Sequence, residues 1–211
     1  MRKIVVFGAT GGSGQQIVER GLAAGHRVVA VARRPEAIKT SHDRLHVMKG
    51  DVLDSASVDA AVAGADAVLS AIGPANNRRP GTLISVGVRN IVESCEKAGV
   101  KRFVFESGLM VGDGHALSLF NRTALALARS MYRAMCDDKR IAESTIQASK
   151  LEWVIVRPPV LTNKPAKGGY RTGVDLALSV SKSLSHADVA EFLVAATTDD
   201  AIVRTIQDIG Y

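Results

Sequence analysis

Four apolar residues, Ile4-Val5-Val6-Phe7, run into Gly8-Ala9-Thr10-Gly11-Gly12-Ser13-Gly14, and a helix-like segment, Gln15 to Ala24, follows at once. A buried strand, a glycine-rich turn and a helix start, in that order, are what a diphosphate-binding turn requires. The first N–H groups of a helix have no partner inside it, and the helix dipole puts partial positive charge there. A diphosphate docks on those groups only where no side chain blocks the backbone. Gly8, Gly11 and Gly14 clear that approach, Gly12 belongs to the same turn, and Thr10 and Ser13 add hydroxyl donors. The expected ligand is the pyrophosphate of NAD(P). The alternative is a turn that only joins strand to helix tightly. The run-in strand and a helix ended by Gly25 favour the cofactor.

The next apolar run, Arg27 to Ala32, bears on which cofactor. It ends Ala32-Arg33-Arg34-Pro35, with no acid before Glu36. An acid at this point hydrogen-bonds ribose hydroxyls and repels a 2′-phosphate, whereas guanidiniums clamp that phosphate. Arg33 and Arg34 therefore point to NADP(H) over NAD(H), set against the ordinary solvated surface arginine.

The elements that must position these residues alternate along the chain. Further strands are expected at Leu45–Lys49, Asp66–Ile72, Arg102–Glu106 and Glu152–Val156, and a last one at Ile202–Ile206. Helices are expected from Asp54 or Ser55 to near Gly64, from Leu83 to Ala98, and over a broken region from Leu119 to Ser149. Ser185-His186-Ala187-Asp188 fits a capping box ahead of a helix over Val189–Thr197, which leaves Asp188 a cap and His186 at the surface. Continuous apolar strands alternating with helices predict an α/β fold, a Rossmann-like doubly wound parallel sheet flanked by helices, in a single domain over residues 1–211.

Composition narrows the class. With 46% hydrophobic and 23% charged residues the chain reads as an ordinary globule. No apolar run approaches the roughly 18 residues of a membrane span. The two cysteines, Cys95 and Cys136, form no C-x-x-C and sit in no His/Cys cluster, so no metal site is expected. Two reduced thiols predict a cytoplasmic protein. The net charge of +6 is scattered in pairs such as Arg78-Arg79 and Lys139-Arg140, and nine aromatics offer no stacking platform for nucleic acid. The expected partner is a small molecule, with the protein a monomer or small homo-oligomer.

GATGGSG at 8–14, ARR at 32–34, GDVLD at 50–54, DAVLSAIG at 66–73, VGVRNIVESCEKAGVKRFVFESG at 86–108 and LEWVIVRPP at 151–159 together resemble an atypical short-chain dehydrogenase/reductase. The chain is similar to the group that holds flavin reductase (biliverdin reductase B) and the NmrA-like NAD(P)H-binding proteins. The resemblance implies pyrophosphate contacts from Gly8, Thr10, Gly11 and Ser13, and Arg33 at the adenosine phosphate. It implies Asp51 and Val52 at the adenine edge and Ile72 and Gly73 beside the ribose. Ser107, Pro158 and Val160 would lie near the nicotinamide. All these residues end strands, where open α/β sheets bind ligands. Asp51 as a helix cap and Ser107 as a strand-end turn remain open alternatives.

The departures decide the chemistry. Conventional short-chain dehydrogenases use Tyr-x-x-x-Lys, one helical turn apart, for proton transfer. Here Lys139 has Met135 four residues earlier, and Tyr132 has Cys136 four residues later. Where flavin reductase has a histidine after the two prolines, this chain has Val160. Hydride transfer to a flat acceptor needs mainly two rings held close, because the cofactor carries the reactivity. Ser107 is the candidate weak proton donor and Lys139 the best-placed lysine. The expected function is an NADPH-dependent oxidoreductase acting on a flavin, quinone or similar acceptor. The alternative is a non-catalytic NADP(H)-binding sensor of the NmrA-like type. Substrate-side loops are expected at 74–82, 109–122 and 160–182, the last forming strands in its 164–182 part. Leu109, Met110, Leu117, Phe120 and Tyr170 line the pocket or pack in the core, and His115 is either a proton donor or a solvated loop residue.

Overall fold

A computed structural model describes residues 1–74, 81–179 and 181–211. The apolar runs form β1 (Lys3–Phe7), β2 (Arg27–Ala32), β3 (Leu45–Lys49), β4 (Ala67–Ser70), β5 (Arg102–Glu106) and β6 (Glu152–Arg157). Short strands β7 (Leu161–Thr162), β8 (Arg171–Gly173) and β9 (Leu184–Ser185) follow, then β10 (Thr205–Gly210). The helices are α1 (Gly12–Ala23), α2 (Ser55–Val62), α3 (Leu83–Ala98), α4 (Leu119–Met131), α5 (Arg133–Ala148) and α6 (His186–Ala195).

The main sheet has the order β3-β2-β1-β4-β5-β6-β10-β8, and every pair in it is parallel except β10 with β8. Alternate residues of each strand face opposite layers. Val5, Phe7, Phe103, Phe105 and Ile155 pack with α2, α3 and α5. Ile4, Val6, Leu69, Val104 and Val154 pack with α1 and α6. Each fully buried apolar side chain of this size contributes about 1.5–3 kcal/mol by leaving water. This is the single-domain, doubly wound α/β sheet that the alternating pattern predicts.

Helix ends follow from local chemistry and from one remote residue. Asp54 Oδ1 accepts the Ala56 N–H at the start of α2. The start of α3 instead takes a carboxylate from another helix: buried Asp138 of α5 accepts from the Ile84 and Ser85 N–H groups at 2.9 and 3.1 Å. The expected break between α4 and α5 falls at Tyr132. Ser185 caps α6, its Oγ accepting the Asp188 N–H at 2.9 Å.

Two expectations need correction. The last strand begins at Thr205, not Ile202, because residues 201–204 turn, with Arg204 at φ 57° donating its N–H to Trp153 O. The 164–182 segment supplies only β8, while β7 and β9, just outside it, pair in parallel as a small second sheet. Most of the 74–82 loop, Arg78 and Arg79 included, lies outside the described residues.

The order of strands reverses between β1 and β4. Gly8 turns the chain there at φ 81°, and a Cβ on it would stand 2.5 Å from Ala71 O. The carboxyl ends of these two strands thus close on each other around a glycine, and a crevice opens above them.

Candidate cofactor site

The crevice is a cleft of about 300 Å³. Gly8, Thr10 and Gly11 from the first turn, Arg33 after β2, Asp51 and Val52 after β3, and Ile72 and Gly73 after β4 line it. Eight of the residues read from sequence as cofactor contacts therefore meet at one switch point, where open α/β sheets take their ligands.

The glycines divide into two kinds. The first helical bond of α1 runs from Gln15 N–H to Gly11 O, so the N–H groups of Gly12, Ser13 and Gly14 precede the helix ladder. A Cβ on Gly11 would have only Gly8 O nearby, at 3.4 Å, so this position opens on the cleft. A Cβ on Gly14 would stand 2.0 Å from Gly8 O. Gly14 therefore brings helix and turn together rather than clearing space for a ligand. Gly12 is exposed on its backbone, but a Cβ there would meet His186 Nε2 at 2.6 Å.

Ser13 departs from the expected role. Its side chain is buried, and its hydroxyl donates to Glu106 Oε1 at 3.0 Å while standing 2.9 Å from His186 Nδ1. The hydroxyl is turned into the protein, and Ser13 is not among the residues that line the cleft. His186 is half-buried rather than a free surface residue: it lies against the glycine-rich turn, and burial lowers its pKa.

The adenosine end is polar and open. Arg33 and Arg34 are both exposed, and among the described residues neither forms an ion pair. Arg33 lines the cleft and Arg34 does not. Asp51 accepts the Leu53 N–H through Oδ1 at 3.0 Å, a turn contact that leaves Oδ2 for a ligand. These groups fit NAD(P): free N–H groups and Gly11 for the diphosphate, Arg33 for a phosphate, Asp51 for an amine.

The ends of β5 and β6 carry a buried polar cluster. Ser107 Oγ donates to Glu143 Oε1, and Arg157 holds the same carboxylate through Nε at 3.1 Å and Nη2 at 2.5 Å. Lys139 Nζ donates to Ser107 O at 2.5 Å. Burial lowers the Lys139 pKa, against the pull of Glu106 and Glu143. Burial raises the pKa of Glu106, partly offset by Lys139 and the Ser13 hydrogen bond, and Glu106 Oε2 has no partner. Sequence reasoning named Ser107 and Lys139 but not Glu106, Glu143 or Arg157, whose only signal was a charge at the end of a buried strand or on a helix. Tyr132 caps α5 and makes no dyad with Lys139. Pro158 is buried and Val160 is 65% exposed, both outside the cleft.

The residues proposed as a pocket lining separate. Leu109 and Leu117 pack with Leu125 and Leu178 in a small core, with Met110 against it. Tyr170 sits edge-on to Phe192, and Phe120 is 77% exposed. His115 is exposed and bridges Asp113 (2.7 Å) and Asp175 (3.4 Å), which raise its pKa. A larger hollow of about 740 Å³ lies at the amino-terminal ends of β1, β4, β5 and β6, away from the cofactor cleft, but its Arg102 is already paired with Asp200 and Glu152. Among the described residues no helix is long and apolar enough to cross a membrane.

Comparison with known proteins agrees with this geometry. A family described as NAD(P)H-binding matches residues 8–200. An uncharacterized chloroplastic protein of Arabidopsis thaliana is 30% identical over 213 residues, which is 96% of this chain and 72% of that protein. The structure of the anaerobilin reductase ChuY from Escherichia coli O157:H7 superimposes with a TM-score of 0.80 at 26% identity, covering 98% of this chain and 96% of that one. A short-chain dehydrogenase/reductase of Veillonella parvula, solved in complex with NADP, shares the fold at a TM-score of 0.79 and 19% identity, over 100% of this chain and 94% of that one. The chain belongs to the NAD(P)H-binding family, among the atypical short-chain dehydrogenase/reductase-like proteins.

Proposed function

We propose that this chain is an NADPH-dependent oxidoreductase that passes hydride to a flavin, a quinone or a similar flat acceptor. The observation that carries the reading is the cleft at the β1/β4 switch, lined by Gly11 at the start of α1 and by Arg33, which among the described residues forms no ion pair. A reduced nicotinamide supplies the hydride when bound. Gly11 and the N–H groups of Gly12 to Gly14 would hold its diphosphate, and Arg33 its 2′-phosphate. Asp51 and Val52 would hold the adenine, and Ile72 and Gly73 the ribose. The protein's task is then to orient two flat rings.

The proton side supports this acceptor class. Lys139 donates to the Ser107 carbonyl and the Ser107 hydroxyl to Glu143, so among the described residues no phenol is paired with Lys139 to protonate an alkoxide. The same reading places the protein in the cytoplasm, as a monomer or small homo-oligomer acting on a small molecule. The buried, unpaired thiols Cys95 and Cys136 support a reducing compartment.

The test is NADPH oxidation by purified protein with FMN, FAD, a quinone and biliverdin, beside NADPH and NADH titrations. Turnover above the protein-free rate with one of them is expected. The full engagement of Ser107, Glu143 and Arg157 with each other favours a second reading, a non-catalytic NADP(H)-binding sensor. Tight NADPH binding with none of the four acceptors consumed would select it.

A further inference from the structure

A second cavity, of about 370 Å³, lies beyond the end of β6. Lys164 and Lys167 enter it from the loop after β7, and Lys182 and Ser183 from the segment before β9. The β7–β9 pairing, Leu161 with Leu184 and Thr162 with Ser185, holds these two segments side by side. Three lysines thus line one hollow from segments about 15 residues apart in sequence. Among the described residues, no carboxylate lies within 4.0 Å of any of them.

The wall behind the lysines is fixed. Asp188, fully buried, accepts from Lys167 N–H at 2.9 Å, Gly168 N–H at 3.0 Å, Ser185 Oγ at 2.6 Å and the Tyr211 hydroxyl. Its two oxygens are committed to backbone N–H and hydroxyl donors, so it anchors the loop and, among the described residues, forms no ion pair with any of the three lysines. Lys167 Nζ stands 4.5 Å from the centre of the Tyr211 ring, a cation–π placement that orients it. A hollow with several unpaired cations on a fixed frame attracts and holds an oxyanion.

Its location says which molecule brings the anion. Thr162, in its lining, comes two residues after Val160, at the carboxyl end of the sheet where the cofactor cleft also opens. Ser185, in the same lining, precedes His186, which touches the glycine-rich turn. In the strand order β2-β1-β4-β5-β6 the cavity lies past β6, at the far side of the β1/β4 cleft from Arg33 at the end of β2, which is where the acceptor would meet the cofactor in the proposed reading. Resting on the hydride-transfer reading above, we propose that the acceptor carries an acidic group, a phosphate monoester or a carboxylate, and that Lys164, Lys167 and Lys182 hold it.

Two acceptor pairs differ only in that group. FMN and riboflavin differ in a phosphate; biliverdin and its dimethyl ester differ in carboxylates. The expected result is kcat/KM at least about tenfold higher for the acidic member of one pair, the size of one charge-assisted contact. Which pair shows it names the source of the oxyanion. Lys182→Glu should collapse the ratio toward one, while Lys150→Glu, the same charge change elsewhere on the surface, should not. Equal ratios in all three proteins overturn the proposal. Flavin and tetrapyrrole binding to the NADP⁺-loaded protein, read by fluorescence quenching, decides the cavity independently of turnover. Lysine-dependent binding of the acidic member without its reduction keeps the cavity and removes the hydride-transfer reading. Acceptors reduced without preference for the acidic member do the reverse.

Discussion

Ser13 Oγ lies 2.9 Å from His186 Nδ1, which ties the glycine-rich turn to the first turn of α6 across 173 residues of sequence. The same hydroxyl donates to Glu106, so the proton on Nδ1 is the one directed at Ser13. The turn is therefore tied through Ser13 to the helix that closes the fold.

This geometry separates glycines that serve the ligand from glycines that serve the fold. Gly14→Ala drives a methyl to 2.0 Å from Gly8 O, backbone that has nowhere to go. Its expected cost is about 3 kcal/mol or more, at or beyond the upper end of overpacking effects. Gly11→Ala meets nothing closer than 3.4 Å. It should change stability by less than about 1 kcal/mol yet weaken NADPH binding by about tenfold or more, because its methyl faces the cleft. Urea denaturation beside nucleotide titration checks both. A Gly11→Ala protein with normal NADPH affinity would remove the diphosphate from this turn.

Arg33 lines the cleft with an unpaired guanidinium, and Arg34 next to it does not line it. Charge-assisted hydrogen bonds contribute about 1.5–3 kcal/mol, or roughly ten- to hundredfold in affinity. Arg33→Ala should weaken NADPH by that factor and leave NADH within about twofold, whereas Arg34→Ala should change both little. Calorimetric titration of the two nucleotides on each variant reads the difference. Equal losses for NADPH and NADH would mean that Arg33 serves the fold or the diphosphate instead.

What could be read from the sequence was local. The strand, turn and first helix lie within 24 residues, and Arg33, Asp51, Ile72 and Gly73 each stand at or within two residues of the end of an expected strand. Strand ends in a parallel sheet converge, so a residue's place after its strand sufficed to put it at the cleft. Contacts across the fold were hidden. A serine in a glycine-rich turn reads the same whether its hydroxyl faces a ligand or, as here, Glu106, 93 residues away. Asp138 reads as a surface charge on α5, yet it caps α3 from 54 residues away. The final strand was displaced because Ile202 and Val203 look like strand residues, while β10 carries two consecutive polar residues, Gln207 and Asp208, between Ile206 and Ile209.

Ser107 shares Glu143 with Arg157, and this arrangement predicts unequal costs for removing its members. Glu143 is almost completely buried, with 4% of its side chain exposed. Arg157→Leu leaves that carboxylate without its cation and should destabilise the protein by about 3–5 kcal/mol. Ser107→Ala removes one neutral donor and should cost about 1–2 kcal/mol. Replacing Arg157 and Glu143 together by leucine should recover most of the single-variant loss, as burying apolar groups of similar volume commonly does. Denaturant titration of these variants, the Glu143→Leu single variant and the parent checks the ordering, and an additive double variant would show that the pair is not coupled.

Glu106 and Lys139 make stability depend on pH in opposite senses. Burial raises the Glu106 pKa, so the folded protein holds this proton more tightly than the unfolded chain does. Stability therefore falls as pH rises from the ordinary glutamate range to the raised folded value, and is level above it. Burial lowers the Lys139 pKa, so the unfolded chain holds that proton more tightly, and stability rises with pH between the folded value and the ordinary lysine range. Glu106→Gln keeps an amide oxygen to accept from Ser13 but has no charge to bury. The variant should gain stability relative to the parent as pH increases from about 4 to about 8, where all other carboxylates contribute equally to both proteins. It should also lower the Lys139 pKa further, since the attraction of Glu106 is one of two carboxylate pulls that oppose burial. Chemical denaturation across that range, with the Lys139 side chain followed by NMR, measures both. Parallel stability curves would mean that the Glu106 carboxylate is solvated in the folded protein, and the polar cluster at the end of β5 would then be open to water.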